Sequence, residues 1–224
     1  MNIAIFGGTF DPIHIGHLRA AKAAARRFRL DRILFVPTGN PPHKSRDPLT
    51  PFSHRFAMVA LACAGDRRFV PSILEAPTRD GQRHFSINTV RRVKKILGPR
   101  HALFFLIGID AFLDLPHWRE YRHLLDLVNF IVVSRPGFRS EGIRKVVPQE
   151  LFRADRGGSR SDTIYLRRTV VRVLGGVEAP VASREIRQAV RAGRRVSGLV
   201  PPAVEQYILK AGLYRAPEAR RNRR

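Results

Sequence analysis

The residues with the clearest chemical potential lie near the start of the chain, in the segment GGTFDPIHIGH over 7–17. This segment follows a short apolar run and leads into a predicted helix, whose unpaired N–H groups and dipole favour anions at its N-terminus. Gly7 and Gly8 are predicted to turn the backbone tightly and to let a ligand approach it without a Cβ in the way. His14 and His17 are three residues apart, so both imidazoles can face one ligand from a helix start. The pattern predicts a site for a charged phosphoryl group.

Two other interpretations of the histidine pair remain open at this point. With the carboxylate of Asp11 just upstream, the pair could bind zinc, although His-x-x-His supplies only two of the ligands that zinc needs. The two histidines could also lie on the surface without any ligand. Because GGTFDP directly precedes them, we favour the phosphoryl site and predict no protein-bound metal.

The elements that position these residues follow from hydrophobic periodicity. Short apolar runs predict strands at 2–6, 32–37, 69–75, 102–108 and 130–134, with one or two more within 163–176. Amphipathic runs predict helices at 18–28, 52–64, 86–97, 184–193 and 203–212, with two short helical pieces around 110–126. This alternation favours an α/β, Rossmann-like three-layer fold with a central parallel sheet flanked by helices.

The predicted fold forms a single domain over 1–215, and its least regular part is 138–160. Residues 216–224 are expected to form a disordered basic tail.

The charge balance is unusual and restricts the class of partner. Lys and Arg total 41 against 18 Asp and Glu, which gives a net charge of +23. Such a charge attracts polyanions, whether nucleoside triphosphates, nucleic acid or a membrane surface, and non-specific nucleic-acid binding is compatible with it. No apolar run is long enough for a membrane helix, and the opening residues do not resemble a signal peptide. A single cysteine, Cys63, excludes an internal disulfide, so we expect a soluble, cytoplasmic protein without membrane contact.

Residues 14–17 spell HIGH, and with the glycines before them they resemble the HxGH nucleotidyltransferase superfamily. Later segments narrow the resemblance to the bacterial nicotinate mononucleotide adenylyltransferases, in order and in spacing. These segments are PTGNPPHK at 37–44, IGIDAFLDLPHW at 107–118, VVSRPG at 132–137 and YILKAGLYR at 207–215. The resemblance implies that ATP and nicotinate mononucleotide react to give nicotinate adenine dinucleotide and pyrophosphate, with Mg²⁺ carried by the ATP phosphates.

The implied reaction needs positioning and electrostatic stabilisation, because the attacking group is already a phosphate anion and requires no general base. The resemblance assigns catalysis to His14, His17 and Arg187, with His17 donating to the α-phosphoryl group. The implied ATP-binding residues are Gly7, Gly8, Thr9, Phe10, His14, His17, Asp110, Ser183 and Arg187. The implied mononucleotide-binding residues are Thr9, Lys44, Ser86, Trp118, Tyr121 and Arg135.

Some of these residues have more specific expected roles. Trp118, the only tryptophan, is expected to stack on the nicotinate ring, while backbone N–H groups around Trp118 and Tyr121 hold the ring carboxylate. Thr9 and Phe10 are expected to offer backbone N–H groups to the mononucleotide phosphate. Asp110 is expected to contact the ATP ribose or adenylate, to cap a helix, or both.

Three further residues have simpler expected roles. Lys44 is expected to reach an anion, and Arg135 to help bind phosphate. Ser86 is expected to cap the helix at 86–97 and to keep a hydroxyl available for hydrogen bonding.

The chain departs from the family pattern at 181–187, which reads VASREIR where the family has Ile-Ser-Ser-Thr followed by x-Ile-Arg. Ser183, Ile186 and Arg187 match, whereas Ala182 and Arg184 replace a serine and the threonine. With Ser183 as its cap, the helix would still present N–H donors to a triphosphate. Arg184 could supply charge in place of a hydroxyl or could obstruct the site, and we expect activity to be retained.

Other functions stay open beside this reading. The same machinery could act on nicotinamide mononucleotide or another phosphate acceptor. Phosphopantetheine adenylyltransferases share the loop but are usually shorter chains without the Trp118 segment. A catalytically impaired RNA-binding relative is the alternative outside enzymes, although no basic stripe interleaved with aromatic residues supports it. The sequence contains no Lys-Met-Ser-Lys-Ser-like loop, which disfavours a class I synthetase fragment.

Overall fold

A computed structural model of the chain describes residues 1–40, 49–134, 141–153, 162–177 and 181–215. The strands in these residues are β1 Asn2–Gly8, β2 Arg32–Pro37, β3 Phe69–Pro71, β4 Ala102–Gly108, β5 Asn129–Val133, β6 Thr163–Tyr165 and β7 Val170–Leu174. The helices are α1 Ile15–Arg27, α2 Phe52–Cys63, α3 Ser86–Leu97, α4 Ile109–Leu113, α5 Tyr121–Leu127, α6 Glu141–Val146, α7 Ser183–Arg191 and α8 Pro202–Lys210. Short 3₁₀ turns lie at Leu115–His117 and Gln149–Leu151.

The described strands form one sheet in the order β3-β2-β1-β4-β5-β7-β6. Every neighbouring pair is parallel except β6 and β7, which pair antiparallel at the edge. The chain moves outward in one direction through β2 and β3 and in the other from β4 onward, so the order reverses between β1 and β4. In open α/β sheets, ligands bind at the carboxyl ends of the strands at such a reversal.

The sheet separates two apolar cores. Alternate side chains of β1 point to opposite faces of the sheet and so contribute to both cores. Ala4 and Phe6 pack on the face that carries residues of α1, α2, α7 and α8. Ile3 and Ile5 pack on the opposite face, with residues of α3, α4 and α5. Burial of one large apolar side chain contributes roughly 1.5–3 kcal/mol, so this alternation fixes which face of each strand points where. The predicted α/β fold with helices on both faces of a parallel sheet is confirmed.

The structure differs from the sequence-based elements in a few places. The strand predicted at 69–75 ends at Pro71, because residues 72–76 turn: Leu74 N–H donates to Ser72 Oγ and Ala76 N–H to the Ile73 carbonyl. Helix α6 lies within the stretch for which no regular structure was predicted. The predicted tail at 216–224 falls outside the described residues. No helix in the described part of the chain is both long and apolar enough to cross a membrane.

Candidate active site

The loop between β1 and α1 turns at Phe10 rather than at the two glycines. Gly7 and Gly8 belong to β1 and pair with β2, so their predicted role in a tight turn is wrong. Phe10 has a φ of 47°, in the left-handed region, and its side chain is buried. A Cβ on Gly8 would lie 3.2 Å from the Phe10 ring. Gly8 therefore allows that ring to pack closely over the strand end.

His14 and His17 are held together at the start of α1. His14 occupies the cap position, and its backbone N–H donates to Nδ1 of His17 at 3.3 Å. The two rings stack with centroids 3.7 Å apart, and the Phe10 ring meets the His17 ring edge-on at 5.0 Å. Both imidazoles are thus fixed where the helix presents its N-terminal dipole.

Both histidines are neutral at pH 7. Burial lowers the pKa of His14 to about 4, although the nearby Glu185 carboxylate acts in the opposite direction. Burial, with a smaller contribution from His14, lowers the pKa of His17 well below its usual value. Because Nδ1 of neutral His17 accepts a hydrogen bond, the proton of that ring is on Nε2, which is a donor. Nδ1 of His14 is buried and has no hydrogen-bond partner among the described residues.

Two residues of α7 donate hydrogen bonds to the loop between β1 and α1. The Arg187 guanidinium donates to the Asp11 carbonyl at 2.8 Å, and the Ser183 hydroxyl donates to the Pro12 carbonyl at 2.9 Å. The N-terminus of α7 therefore lies beside that of α1. The expectation that Ser183 caps this helix is wrong: Ser183 is its first residue, and Ala182 occupies the cap position. The N–H of Ala182 donates to the Glu185 carboxylate at 3.0 Å, so a side chain within the helix satisfies that donor instead.

A buried arginine, which was not identified from the sequence, supports the loop between β1 and α1 through hydrogen bonds to backbone carbonyls. Arg55 of α2 is 1% exposed, and it donates to the Thr9 carbonyl at 2.7 Å and to the Thr50 carbonyl at 2.8 Å. The buried Asp11 carboxylate accepts the Thr50 N–H at 3.1 Å. These contacts fix the backbone on which Thr9 is presented.

A cavity of about 630 Å³ opens on the other side of the β1 carboxyl end. Five of the predicted site residues line it: Gly7, Gly8, Thr9, Ser86 and Trp118. The Trp118 ring meets Phe105 edge-on at 6.3 Å, and its indole N–H donates to the Asp114 carboxylate at 3.3 Å. The cavity thus has an aromatic wall of fixed orientation.

The helix-cap roles expected of Ser86 and Asp110 are wrong, whereas the binding roles expected of Tyr121, Lys44 and Arg135 stay predictions. Ser86 is the first residue of α3, whose cap position is held by Phe85. Asp110 lies in the first turn of α4, which Gly108 caps, and it does not line the cavity. The Tyr121 side chain packs against the apolar core beside α3. Lys44 and Arg135 lie outside the described residues.

The cavity also contains polar residues that sequence reasoning missed. Glu75 is buried and accepts the Thr89 hydroxyl at 2.6 Å, and burial raises the pKa of its carboxyl. The Glu75 carbonyl would lie 1.9 Å from a Cβ on Gly39, so only glycine fits there. His84 also lines the cavity, and its Nε2 is buried without a partner among the described residues. The sequence did offer a signal for Glu75, because it is the acidic residue at the end of the apolar run FVPSILE.

The described residues contain no group of three or more His, Cys, Asp or Glu side chains that could hold a metal ion. The Asp11 carboxylate, which a zinc site beside the histidines would need, instead accepts hydrogen bonds from Thr50 N–H and the Tyr214 hydroxyl.

The geometry therefore has two halves that meet at one strand end. His17 packs with Phe6 and Phe10 on the α1 face of the sheet. The cavity, with Ile5 in its lining, opens on the α3 face. The segment from Gly7 to Thr9 lies between them at the reversal of strand order, where two ligands could approach each other.

Comparison with known proteins identifies the lineage of this arrangement. The family model described as cytidylyltransferase-like matches residues 5–189. A protein of Solibacter usitatus named probable nicotinate-nucleotide adenylyltransferase is 42% identical over 214 residues, covering 96% of this chain and 100% of the relative. The chain belongs to the nicotinate-nucleotide adenylyltransferase family. Another member, from Syntrophotalea carbinolica and with the same name, is 37% identical over 97% of this chain and 99% of its own length.

The fold of this adenylyltransferase family member is also found in solved structures. The nicotinic acid mononucleotide adenylyltransferase of Plasmodium falciparum, complexed with NaAD, aligns with a TM-score of 0.71 at 20% identity, covering 95% of this chain and 97% of that one. The same enzyme complexed with APC aligns with a TM-score of 0.70. The family resemblance predicted from GGTFDPIHIGH and the later segments is confirmed.

Proposed function

We propose that the chain transfers the adenylyl group of ATP to nicotinate mononucleotide, giving nicotinate adenine dinucleotide and pyrophosphate. The observation that carries the proposal is the two-sided site: neutral stacked histidines at a helix N-terminus on one face of β1, and a tryptophan-walled cavity on the other. The names of relatives that match along nearly the whole chain support the same reaction.

ATP occupies the histidine side, entering as its Mg²⁺ complex. The adjoining N-termini of α1 and α7 favour its phosphates. Mg²⁺ commonly binds through substrate phosphates and water, so it needs no three-ligand protein cage. The Nε2–H of His17 is the donor for an α-phosphoryl oxygen, and His14, whose buried Nδ1 has no hydrogen-bond partner among the described residues, is stacked beside it. Ser183 and Arg187 act by holding the loop that precedes the histidines, through the Pro12 and Asp11 carbonyls.

Nicotinate mononucleotide occupies the cavity, with its pyridinium ring against Trp118 and its phosphate toward Thr9. A cationic ring on an aromatic face gains on the order of 0.5–2 kcal/mol. The indole is already oriented by its hydrogen bond to Asp114, so little ordering is left for binding to accomplish. Lys44 and Arg135 are proposed as further anion contacts.

The chemical step is an in-line displacement at phosphorus. A phosphate oxygen of the mononucleotide attacks Pα of ATP, the bond from Pα to the bridging oxygen breaks, and pyrophosphate leaves with that oxygen. Negative charge builds on the α-phosphoryl oxygens and the leaving group, where donors that are already in place stabilise it most. Catalysis then depends on His17 and on the two helix N-termini rather than on a general base.

Pyrophosphate release from MgATP tests the proposal, with nicotinate mononucleotide and the nicotinamide form compared in parallel. We expect release that favours the acid form and that falls on the order of 10²–10³-fold in His17→Ala. The matched control is His123→Ala, since His123 is 75% exposed and lies on α5. Preference for the amide would contradict the substrate assignment, and release with neither acceptor would contradict the function.

A further inference from the structure

Two of the backbone donors expected to bind the nicotinate carboxylate, the N–H groups of Trp118 and Tyr121, are already engaged. The N–H of Trp118 donates to the Leu115 carbonyl at 2.8 Å, and the N–H of Tyr121 donates to the Trp118 carbonyl at 3.3 Å. A carboxylate on a ring stacked against Trp118 would have to break these bonds to use them. Another donor at this wall of the cavity would bind the carboxylate without that loss.

Arg119 follows Trp118 in the chain and lines the same cavity. Its guanidinium lies over the Phe85 ring, with the carbon 4.8 Å from the ring centroid, and Phe85 is itself part of the lining. Stacking on an aromatic ring restricts the orientation of a guanidinium. Its N–H groups lie in the plane of the guanidinium itself and remain able to donate hydrogen bonds. The side chain is 58% exposed, so a ligand can reach it.

The charge of Arg119 is only weakly matched within the described residues. The carboxylate that approaches it is that of Glu120, whose Oε1 lies 4.0 Å from Nε of Arg119. The Glu120 carboxylate is instead bound by both terminal nitrogens of Arg91, at 2.6 and 3.3 Å. Glu120, which is not among the lining residues, is thus paired with Arg91, and this leaves the Arg119 guanidinium to an incoming anion.

We infer that Arg119 binds the ring carboxylate of the substrate and determines the preference for the acid over the amide. The inference rests on the proposed function, since it concerns the acceptor of that reaction. A guanidinium and a carboxylate form a two-pronged, charge-assisted pair that a neutral amide cannot match. The pair also offsets the carboxylate of Asp114, which lines the same cavity and would otherwise repel an acidic ring.

The test compares kcat/KM for the acid and amide mononucleotides in the intact chain and three variants. Arg119→Gln should lower kcat/KM for the acid by about 10–100-fold, mostly through KM, and change the value for the amide by less than about threefold. Arg119→Lys keeps the positive charge but loses the two-pronged geometry of the guanidinium. Its kcat/KM for the acid should lie between those of the unaltered chain and Arg119→Gln. The matched control is Arg122→Gln, because Arg122 pairs with Glu150 rather than lining the cavity.

Binding of the two mononucleotides without ATP, followed by calorimetry, gives a readout independent of turnover. Arg119→Gln should weaken binding of the acid form alone. An equal loss for both mononucleotides, the same loss in Arg122→Gln, or no change in Arg119→Gln would overturn the inference. So would a loss of acid preference in Arg83→Gln alone, since Arg83 is the other arginine among the described residues that line the cavity. If the unaltered chain turns over neither mononucleotide, it is the proposed function that fails.

Discussion

Tyr214 and Asp11 lie 203 residues apart in the sequence and are joined by a 2.6 Å hydrogen bond from the tyrosine hydroxyl to the aspartate Oδ1. Asp11 is 2% exposed, and its other carboxylate oxygen accepts the Thr50 N–H. Burial, with the adjacent Asp11 charge, raises the pKa of the Tyr214 hydroxyl, which therefore stays protonated as a donor. The segment after α8 is thus tied directly to the loop that precedes His14 and His17 at the start of α1.

Removing the Tyr214 hydroxyl should destabilise the chain measurably. Tyr214→Phe leaves a buried carboxylate oxygen without its donor, and a hydrogen bond to a charged group contributes about 1.5–3 kcal/mol. We expect the free energy of unfolding in urea to fall by about that amount. The matched control is Tyr207→Phe, whose hydroxyl pairs with Nδ1 of His54 at 2.9 Å. A neutral bond of that kind contributes about 0.5–1.5 kcal/mol. Equal losses in the two variants would show that the Asp11 contact has no special weight.

The buried histidine pair should make the chain less stable as the pH falls below neutrality. The unfolded state binds protons on histidine near pH 6.5, whereas folded His14, with a pKa of about 4, does not. The unfolded state thus binds more protons between these values, and stability falls with decreasing pH across that window. For His14 alone the loss between pH 7 and pH 5 is about 2 kcal/mol, and His17 acts in the same direction.

Urea unfolding at pH 7 and pH 5 checks this prediction through variants. His14→Asn should reduce the pH-dependent loss by about 2 kcal/mol, and His123→Asn, at an exposed position, should leave it unchanged. The comparison is needed because Glu75 opposes the trend: the raised pKa of its carboxyl makes the folded state bind a proton more readily as the pH falls. An unchanged pH dependence in His14→Asn would mean that His14 is not buried in its neutral form.

The fold could be predicted from the sequence because its signals are local. Strands buried on both faces appear as continuous apolar runs, such as ALFFLIG for β4, and amphipathic helices separate them. Helix caps were less predictable: a serine at the first helical position resembles a cap in sequence. In the structure Phe85 and Ala182 occupy the cap positions, and the Ser183 hydroxyl is used across the loop instead.

The candidate site could be predicted in its sequence motifs, but not in the buried residues that support them. GGTFDPIHIGH can be recognised from its composition. The hydrogen bonds between Arg55 and Thr9 and between Glu75 and Thr89, in contrast, join residues that are 46 and 14 positions apart in the sequence. Such contacts depend on tertiary packing, which no spacing rule supplies. Arg119 has no sequence signal that separates it from the other arginines, and its candidacy depends on the Phe85 ring beneath it.

The departure from the family pattern at Arg184 should leave catalysis nearly intact. Arg184 is exposed at the second position of α7, and the contacts that fix this helix on the loop come from Ser183 and Arg187. The backbone donors of the helix start do not depend on the side chain at 184. We therefore expect Arg184→Thr to change kcat by less than about threefold and, through lost surface charge, to raise KM for ATP by at most about fivefold.

Arg184→Thr should also change the free energy of unfolding, which can be measured independently of catalysis. A cation in the first turn of a helix opposes the dipole, so Arg184→Thr should raise the free energy of unfolding by about 0.3–1 kcal/mol. Arg191 lies in the last turn of α7, where a cation is favourable, and Arg191→Thr should lower it by a similar amount. The two variants remove the same charge, so net charge cannot explain opposite shifts. A large rise in turnover for Arg184→Thr would instead mean that the natural arginine obstructs the triphosphate site.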